Sequence, residues 1–485
     1  MMKKTLLLNP PSYEGFDGGA GSRFQAKREV RSFWYPTWLA QVAALLPGSR
    51  LIDAPARGLL LHDIVPLAGD YELLIIYASA PTFNSDIGVA EAFKAANPNL
   101  MVGLVGAHVA TLPEVSLLAS ASVDFVARHE FDFTIQDVAQ GKPLAEIDGL
   151  TWRKDGQAVH NKDRALIHDM DVLPSVIPVY ARDLTVEDYY IGYLRHPYVS
   201  FYTGRGCRSK CSYCLWPQTI GGSVYRTRSP AKVLEDVTQA LDLMPQVKEV
   251  FFDDDTFTDD LPRAEEVAKL IGPLLKSRGV TWSVNAKANV PLSTLKVLKE
   301  SNLRQLLVGY ESGNQTILNN IRKGLRLDIM RKFTADCHKL GITVHGAFVL
   351  GLPGESRQTI DETIRFAKEI DPHSLQVSLA APYPGTELYA QAQANGWFAK
   401  DGLVESHGNQ TAVLSYPGLS SDEIFAAVEE FYRAFYFRPR KIAEMVGEML
   451  TSRDMFMRRI REGIEFFQFL KKRNSRGSCD QASAT

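Results

Sequence analysis

The chain has 485 residues, enough for two to four domains with sizeable cores. Hydrophobic residues at 45% and charged ones at 23% match a folded globular protein, and a net charge of −2 excludes a general electrostatic pull toward nucleic acid. Five cysteines without paired extracellular spacing indicate a reducing compartment, and no apolar run reaches the roughly 18 residues that span a bilayer, so a cytoplasmic protein is expected.

From the N-terminus, short apolar runs recur at residues 4–9, 50–53, 72–77, 100–105 and 124–127. Helical patterns over 38–46, 87–96 and 112–119 separate them. Apolar strands alternating with helices predict a Rossmann-like α/β domain over 1–147, with ligands expected at the strands' C-terminal ends. No G-x-G-x-x-G follows a strand, so a nicotinamide cofactor is not expected. Residues 148–195 read as a connector that includes a hairpin turning at Asp155-Gly156.

Six strand-then-helix units follow between 196 and 396, with strands expected at 198–203, 249–253, 281–286, 305–310, 343–350 and 375–380. Repeated βα units predict a partial (β/α)6 barrel with chemistry at the C-terminal rim. At the end of its first strand stands Cys207-Arg-Ser-Lys-Cys211-Ser-Tyr-Cys214, which holds three of the five cysteines in eight positions. A structural zinc site needs a fourth ligand, and no Cys or His follows closely. Three thiolates can instead hold three irons of a [4Fe-4S] cluster and leave the fourth iron open, with a zinc knuckle or redox pair as the plainer reading. The other rim positions are polar for strand ends: Asp253-Asp254-Asp255, Asn285-Ala-Lys287, and Glu311-Ser312. Carboxylates there complement a cationic sulfonium ligand.

The spacing C-x3-C-x2-C, with Tyr213 before the last cysteine, resembles the signature of the radical S-adenosylmethionine (SAM) superfamily. The resemblance implies that SAM chelates the open iron and that a reductant such as flavodoxin or ferredoxin supplies the electron for its cleavage to a 5′-deoxyadenosyl radical. It also implies that Asp254 and Asp255 meet the SAM amino group, Glu311 and Ser312 the ribose, and Leu350 and Gly351 the adenine, with Tyr213 nearby.

The first domain is similar to the cobalamin-binding domain of one branch of that superfamily. The stretches that carry this are Asp53-Ala-Pro55-Ala-Arg57-Gly58, Gly106-Ala-His108, and residues 124–130. In better-known cobalamin domains a His ligates cobalt where this chain has Pro55, so the resemblance implies cobalamin held without that ligand. The stretch from Ser12 to Trp38 resembles the hopanoid-biosynthesis radical SAM proteins, which implies a hopanoid lipid substrate whose glucosamine ring is contracted to the cyclitol ether of bacteriohopanetetrol. The rival readings are a cobalamin-dependent C-methyltransferase and a non-catalytic metal-binding scaffold. A methylthiotransferase needs a second set of three cysteines, and none precedes Cys207.

Residues 397–475 read as helical and 476–485 as a disordered tail carrying Cys479, while Cys337 falls mid-helix as a core residue. The segment from Arg438 to Arg473 is basic and amphipathic, with Arg458, Arg459 and Arg461 close together, so a peripheral contact with an anionic membrane is expected.

Overall fold

A computed structural model of the chain describes residues 2–11, 32–404 and 410–450, together with Ile460, Gly463 and Ile464. Most of the stretch behind the hopanoid resemblance, Arg458, Arg459 and Arg461, and the tail with Cys479 lie outside the described residues. The first sheet contains β1 (Thr5–Asn9), β2 (Arg50–Asp53), β3 (Leu73–Tyr77), β4 (Met101–Val105), β5 (Phe125–Ala127), β6 (Leu150–Lys154) and β7 (Gln157–His160). Their order is β2-β1-β3-β4-β5-β6-β7. The five strands β2 to β5 pair parallel, because helical crossovers return each strand in the same direction. Fully buried runs such as Leu73-Leu-Ile-Ile-Tyr77 follow from helices covering both faces.

The hairpin expected as a connector instead extends this sheet, with β6 antiparallel to β5 and β7 antiparallel to β6. Its turn at Asp155-Gly156 has φ of 49° and 79°, the left-handed geometry a two-residue hairpin uses. The rest of the connector returns to the opposite edge, where the Leu51 N–H donates to Asp183 Oδ2 at 2.9 Å.

The second sheet contains β8 (Tyr198–Phe201), β11 (Glu249–Phe252), β12 (Thr281–Ala286), β13 (Leu303–Glu311), β14 (Thr343–Leu350) and β15 (Ser374–Leu379), parallel and in the order β15-β14-β13-β12-β11-β8. Between β8 and β11 a separate ribbon pairs β9 (Gly204–Arg205) with β10 (Arg226–Thr227). The first barrel strand therefore stops at Phe201, short of the expected Thr203, because the chain leaves the sheet to join this ribbon. The helix Ser421–Tyr436 covers the exposed edge: Tyr436 OH accepts from Leu375 N–H and Tyr432 OH from Val377 N–H, both at 2.9 Å.

The two sheets share one apolar core, and a second core lies on the far face of the first sheet. The seam is aromatic: Tyr35 stacks on Tyr189 with centroids 4.0 Å apart, and its hydroxyl donates to Tyr198 O at 2.9 Å. No described helix is long and apolar enough to cross a membrane. Two basic residues of the expected membrane segment are used internally, since Arg438 pairs with Asp371 at 2.5 Å and buried Lys441 with Glu444 at 2.9 Å.

Candidate active site at the cysteine loop

Residues 206–225 leave β9 and return to β10, so the ribbon closes the base of the cysteine loop. Gly206 has φ of 87°, and a Cβ there would lie 2.3 Å from Val224 O, so only glycine lets the loop fold over its own return strand. The loop is tied down along its length. Gly206 N–H donates to Asp255 Oδ2 at 3.0 Å, and Arg208 N–H to Asp259 Oδ2 at 3.0 Å. Ser212 N–H reaches Ile321 O at 3.1 Å, and the Gln218 amide donates to Cys214 O at 2.7 Å.

Cys207 and Cys211 are buried, Cys214 is half-buried, and all three are free thiols. Burial pushes up the Cys211 and Cys214 thiols, and each feels its neighbouring cysteines; Lys323 pulls both the other way. Among the described residues no three Cys, His, Asp or Glu side chains converge on a single ion. Ligands that bind one per iron need no such convergence, so the donor set fits a [4Fe-4S] cluster.

Beside the cysteines, β13 ends in a bulge where Glu311 adopts φ of 64°. Lys323 Nζ donates to Glu311 Oε1 at 2.7 Å, and both side chains are largely buried. A Cβ on Gly309 would fall 2.2 Å from that same Oε1, so the glycine makes room for the pair. Burial raises the Tyr213 phenol, and its hydrogen bond and proximity to Glu311 add to this. Cys211, Tyr213, Glu311 and Lys323 are thus gathered at one place, and Lys323 is a residue the sequence reading did not single out.

The other expected SAM contacts divide. Asp254 is fully buried: Oδ1 accepts from Thr203 N–H at 2.5 Å, and Oδ2 from the hydroxyls of Thr203 and Tyr225, both at 2.6 Å. Both its oxygens serve to brace the loop. Asp255 accepts from the loop itself through Gly206. Ser312 is buried against Thr363, 3.1 Å between hydroxyl oxygens, and Leu350 is fully buried. Gly351, with φ of 85°, donates its N–H to Glu355 Oε2 at 2.6 Å and accepts from Tyr416 OH at 2.7 Å. Glu355 is a second residue to which the sequence assigned no role; burial raises its carboxyl to about 8, and its other oxygen has no hydrogen-bond partner among the described residues.

In the first sheet the expected positions lie at the strand ends. Asp53 is buried and accepts from the Asn9 amide at 2.7 Å and Tyr189 OH at 2.8 Å, with burial raising it to about 6. Gly58 closes the helix Ala54–Arg57 in the left-handed conformation. Gly106, at φ of 122°, allows a close approach that a Cβ, 2.5 Å from Ala78 O, would block. His108 packs on Phe83 with burial lowering it to about 4, and its Nδ1 has no hydrogen-bond partner among the described residues. This edge faces the back of the cysteine loop, where His129 Nδ1 lies 2.9 Å from Thr219 O.

Residues 201–367 match the family model of the radical SAM superfamily, and they include the last residue of β8, the cysteine loop and the four barrel strands β11 to β14. These residues form a radical SAM domain. The domain implies a [4Fe-4S] cluster and SAM. The chain is 28% identical over 460 residues to the "uncharacterized methyltransferase PH0819" of Pyrococcus horikoshii, covering 92% of this chain and 95% of the relative. Among solved structures it shares its fold with the radical SAM methyltransferase TsrM of Kitasatospora setae, solved with cobalamin and [4Fe-4S] cluster bound. The TM-score is 0.69 at 14% identity, over 99% of this chain and 100% of that one. The cobalamin-dependent SAM radical enzyme OxsB, solved with aqua-cobalamin and SAM, gives 0.71 at 13% identity, over 98% and 75%.

Proposed function

We propose that this enzyme holds cobalamin at the strand ends of its first sheet and joins it to radical SAM chemistry on a small-molecule substrate. The observation that carries the proposal is the apposition of two ligand-ready edges. The first sheet's strand ends, with Gly106 opened for close approach and His108 Nδ1 without a partner among the described residues, lie against the back of the cysteine loop. Cys207, Cys211 and Cys214 would hold the cluster; Glu311, Ser312, Leu350, Gly351, Tyr213 and Asp255 would line the SAM site. Asp53, Gly58, Gly106 and His108 would border the cobalamin. When bound, the cluster supplies the electron that cleaves SAM. The chain's own part is to keep that step enclosed, because a primary radical reacts with whatever donor is within contact distance.

Methyl transfer to carbon is the reaction we favour, supported by the names of the Pyrococcus relative and of TsrM. The second reading, contraction of a glucosamine ring on a hopanoid, is supported by the sequence from Ser12 to Trp38. A membrane-bound lipid would be met at the bilayer surface through the basic segment that ends at Arg473.

Anaerobic reconstitution with SAM, cobalamin, reductant and candidate substrates, followed by mass analysis, tests both. A product heavier by one methylene supports methyl transfer, and a rearranged product of unchanged mass supports ring contraction. Absence of 5′-deoxyadenosine and of any modified product refutes both readings. Salt-sensitive binding to anionic but not neutral vesicles is the outcome the lipid reading requires.

A further inference from the structure

The ribbon that closes the cysteine loop carries an arginine on each strand, Arg205 and Arg226, directly opposite one another in register. Two like charges facing each other across an antiparallel pair repel, so each needs a counter-charge. Both counter-charges come from the chain that follows β5 of the other sheet, Glu130 in the connecting bend and Asp132 at the start of the helix Asp132–Ala139. Asp132 takes Arg205 in a two-pronged pair, at 2.7 and 3.0 Å. Glu130 takes Arg226 in another, at 2.7 and 2.9 Å, and reaches Arg205 at 3.4 Å. All four side chains are at most 3% exposed, and two acids against two bases leave the group neutral.

The surroundings lock the same four residues. Arg226 also donates to Ile167 O and Gly221 O, both at 2.6 Å, and Ile167 N–H donates to Glu130 Oε2 at 2.9 Å. The Arg205 guanidinium lies 4.1 Å over the Trp38 ring, and Trp38 stacks nearly parallel to Trp216, two residues beyond Cys214. Burial alone would lower the Arg205 guanidinium; Asp132 and Glu130 more than offset it. A buried ion network of this kind contributes little net stability compared with apolar packing of the same volume, but it tolerates few geometries. Two planar forks fix both distance and orientation in a way that apolar contacts cannot.

We propose that Glu130, Asp132, Arg205 and Arg226 act as positioning residues: a clasp that holds the cysteine loop at a set distance from the strand ends of the first sheet. The clasp itself is a property of the folded chain. Its purpose, keeping the two cofactor sites in register, rests on the cobalamin reading above. Loosening it leaves each site present but lets the radical and its target drift apart, and catalysis is sensitive to displacements of about 1 Å.

The test compares the full-length, cluster-loaded enzyme with Arg205→Lys, which keeps the charge and loses the fork, and with Glu130→Gln as the milder second variant. Hydrogen exchange should rise at least tenfold at residues 204–227 and 128–135, with the rest of the barrel unchanged. Iron per chain should stay at the wild-type value, while product formed per 5′-deoxyadenosine falls at least tenfold. Wild-type exchange in those two segments, in both variants, overturns the clasp. So does uniform acceleration across the chain, or a loss of iron in proportion to product, since either indicates a general structural role. If the wild-type enzyme itself binds no cobalamin, the cobalamin reading fails, and local exchange still decides the clasp.

Discussion

Lys323 Nζ sits 2.7 Å from Glu311 Oε1 beside the cysteine loop, with side-chain exposures of 12% and 8%. Glu311 is held at a positive φ, which a residue with a Cβ adopts only where its surroundings demand it. Burial alone would lower the Lys323 ammonium, but Glu311 and Cys211 together hold it well above its ordinary value. The Lys323 ammonium therefore stays charged at neutral pH, next to the thiols.

Removing one member leaves the other buried and unpaired. Lys323→Ala should cost about 3–5 kcal/mol in denaturant unfolding, more than the paired change Lys323→Met with Glu311→Leu. Glu311→Ala should also weaken SAM binding, read by calorimetry on the reconstituted protein, at least tenfold. Unchanged affinity would remove Glu311 from the SAM site.

Cys337 is fully buried in the helix Leu327–Lys339, where burial raises its thiol. Cys337→Ala should leave iron content and reductive SAM cleavage intact, whereas Ala at Cys207, Cys211 or Cys214 should abolish cleavage. Iron analysis and 5′-deoxyadenosine formation check both. Loss of the cluster in Cys337→Ala would show a fourth protein ligand.

The Glu355 carboxyl is raised by burial to about 8, from 4.5 when solvated, although the N–H groups of Gly351 and Leu352 pull it down. Between those two values the folded state binds more protons than the unfolded state. Its contribution to stability is therefore greatest below about pH 4.5 and declines as pH rises toward 8. Glu355→Gln should flatten that decline in ligand-free protein, by up to about 1.4 kcal/mol per pH unit within the window. Parallel unfolding curves for variant and wild type would show that Glu355 is already ionised in the folded protein.

By the resemblance to cobalamin domains, Pro55 would take the position of a cobalt-ligating His, at the head of the helix Ala54–Arg57. Bound cob(II)alamin should consequently lack nitrogen superhyperfine splitting from an axial imidazole. Splitting in the wild-type spectrum that disappears in His108→Ala would instead assign the ligand to His108, the neutral imidazole at that edge.

Much of this enzyme is written locally. Apolar runs of four to eight residues between helical patterns marked nearly every strand, because burial on both faces demands apolar side chains all along the strand. The cysteine spacing marked the loop we propose for the cluster, because one short loop must bring three thiolates to three irons. What no local pattern contained is the partnership between distant charges. Glu130 and Asp132 lie more than seventy residues from Arg205, and their side chains meet only once β5 and the β9–β10 ribbon are folded against each other. Asp254 and Asp255 are adjacent and chemically alike, yet the fold buries one under Thr203 and Tyr225 and sets the other against Gly206. The hairpin after residue 148 reads as a hairpin from Asp155-Gly156 alone, but its place at the end of the first sheet depends on the open edge of β5. Turn chemistry and burial periodicity are decided by neighbours in sequence; ion pairing and sheet membership depend on which surfaces remain open when the chain closes on itself.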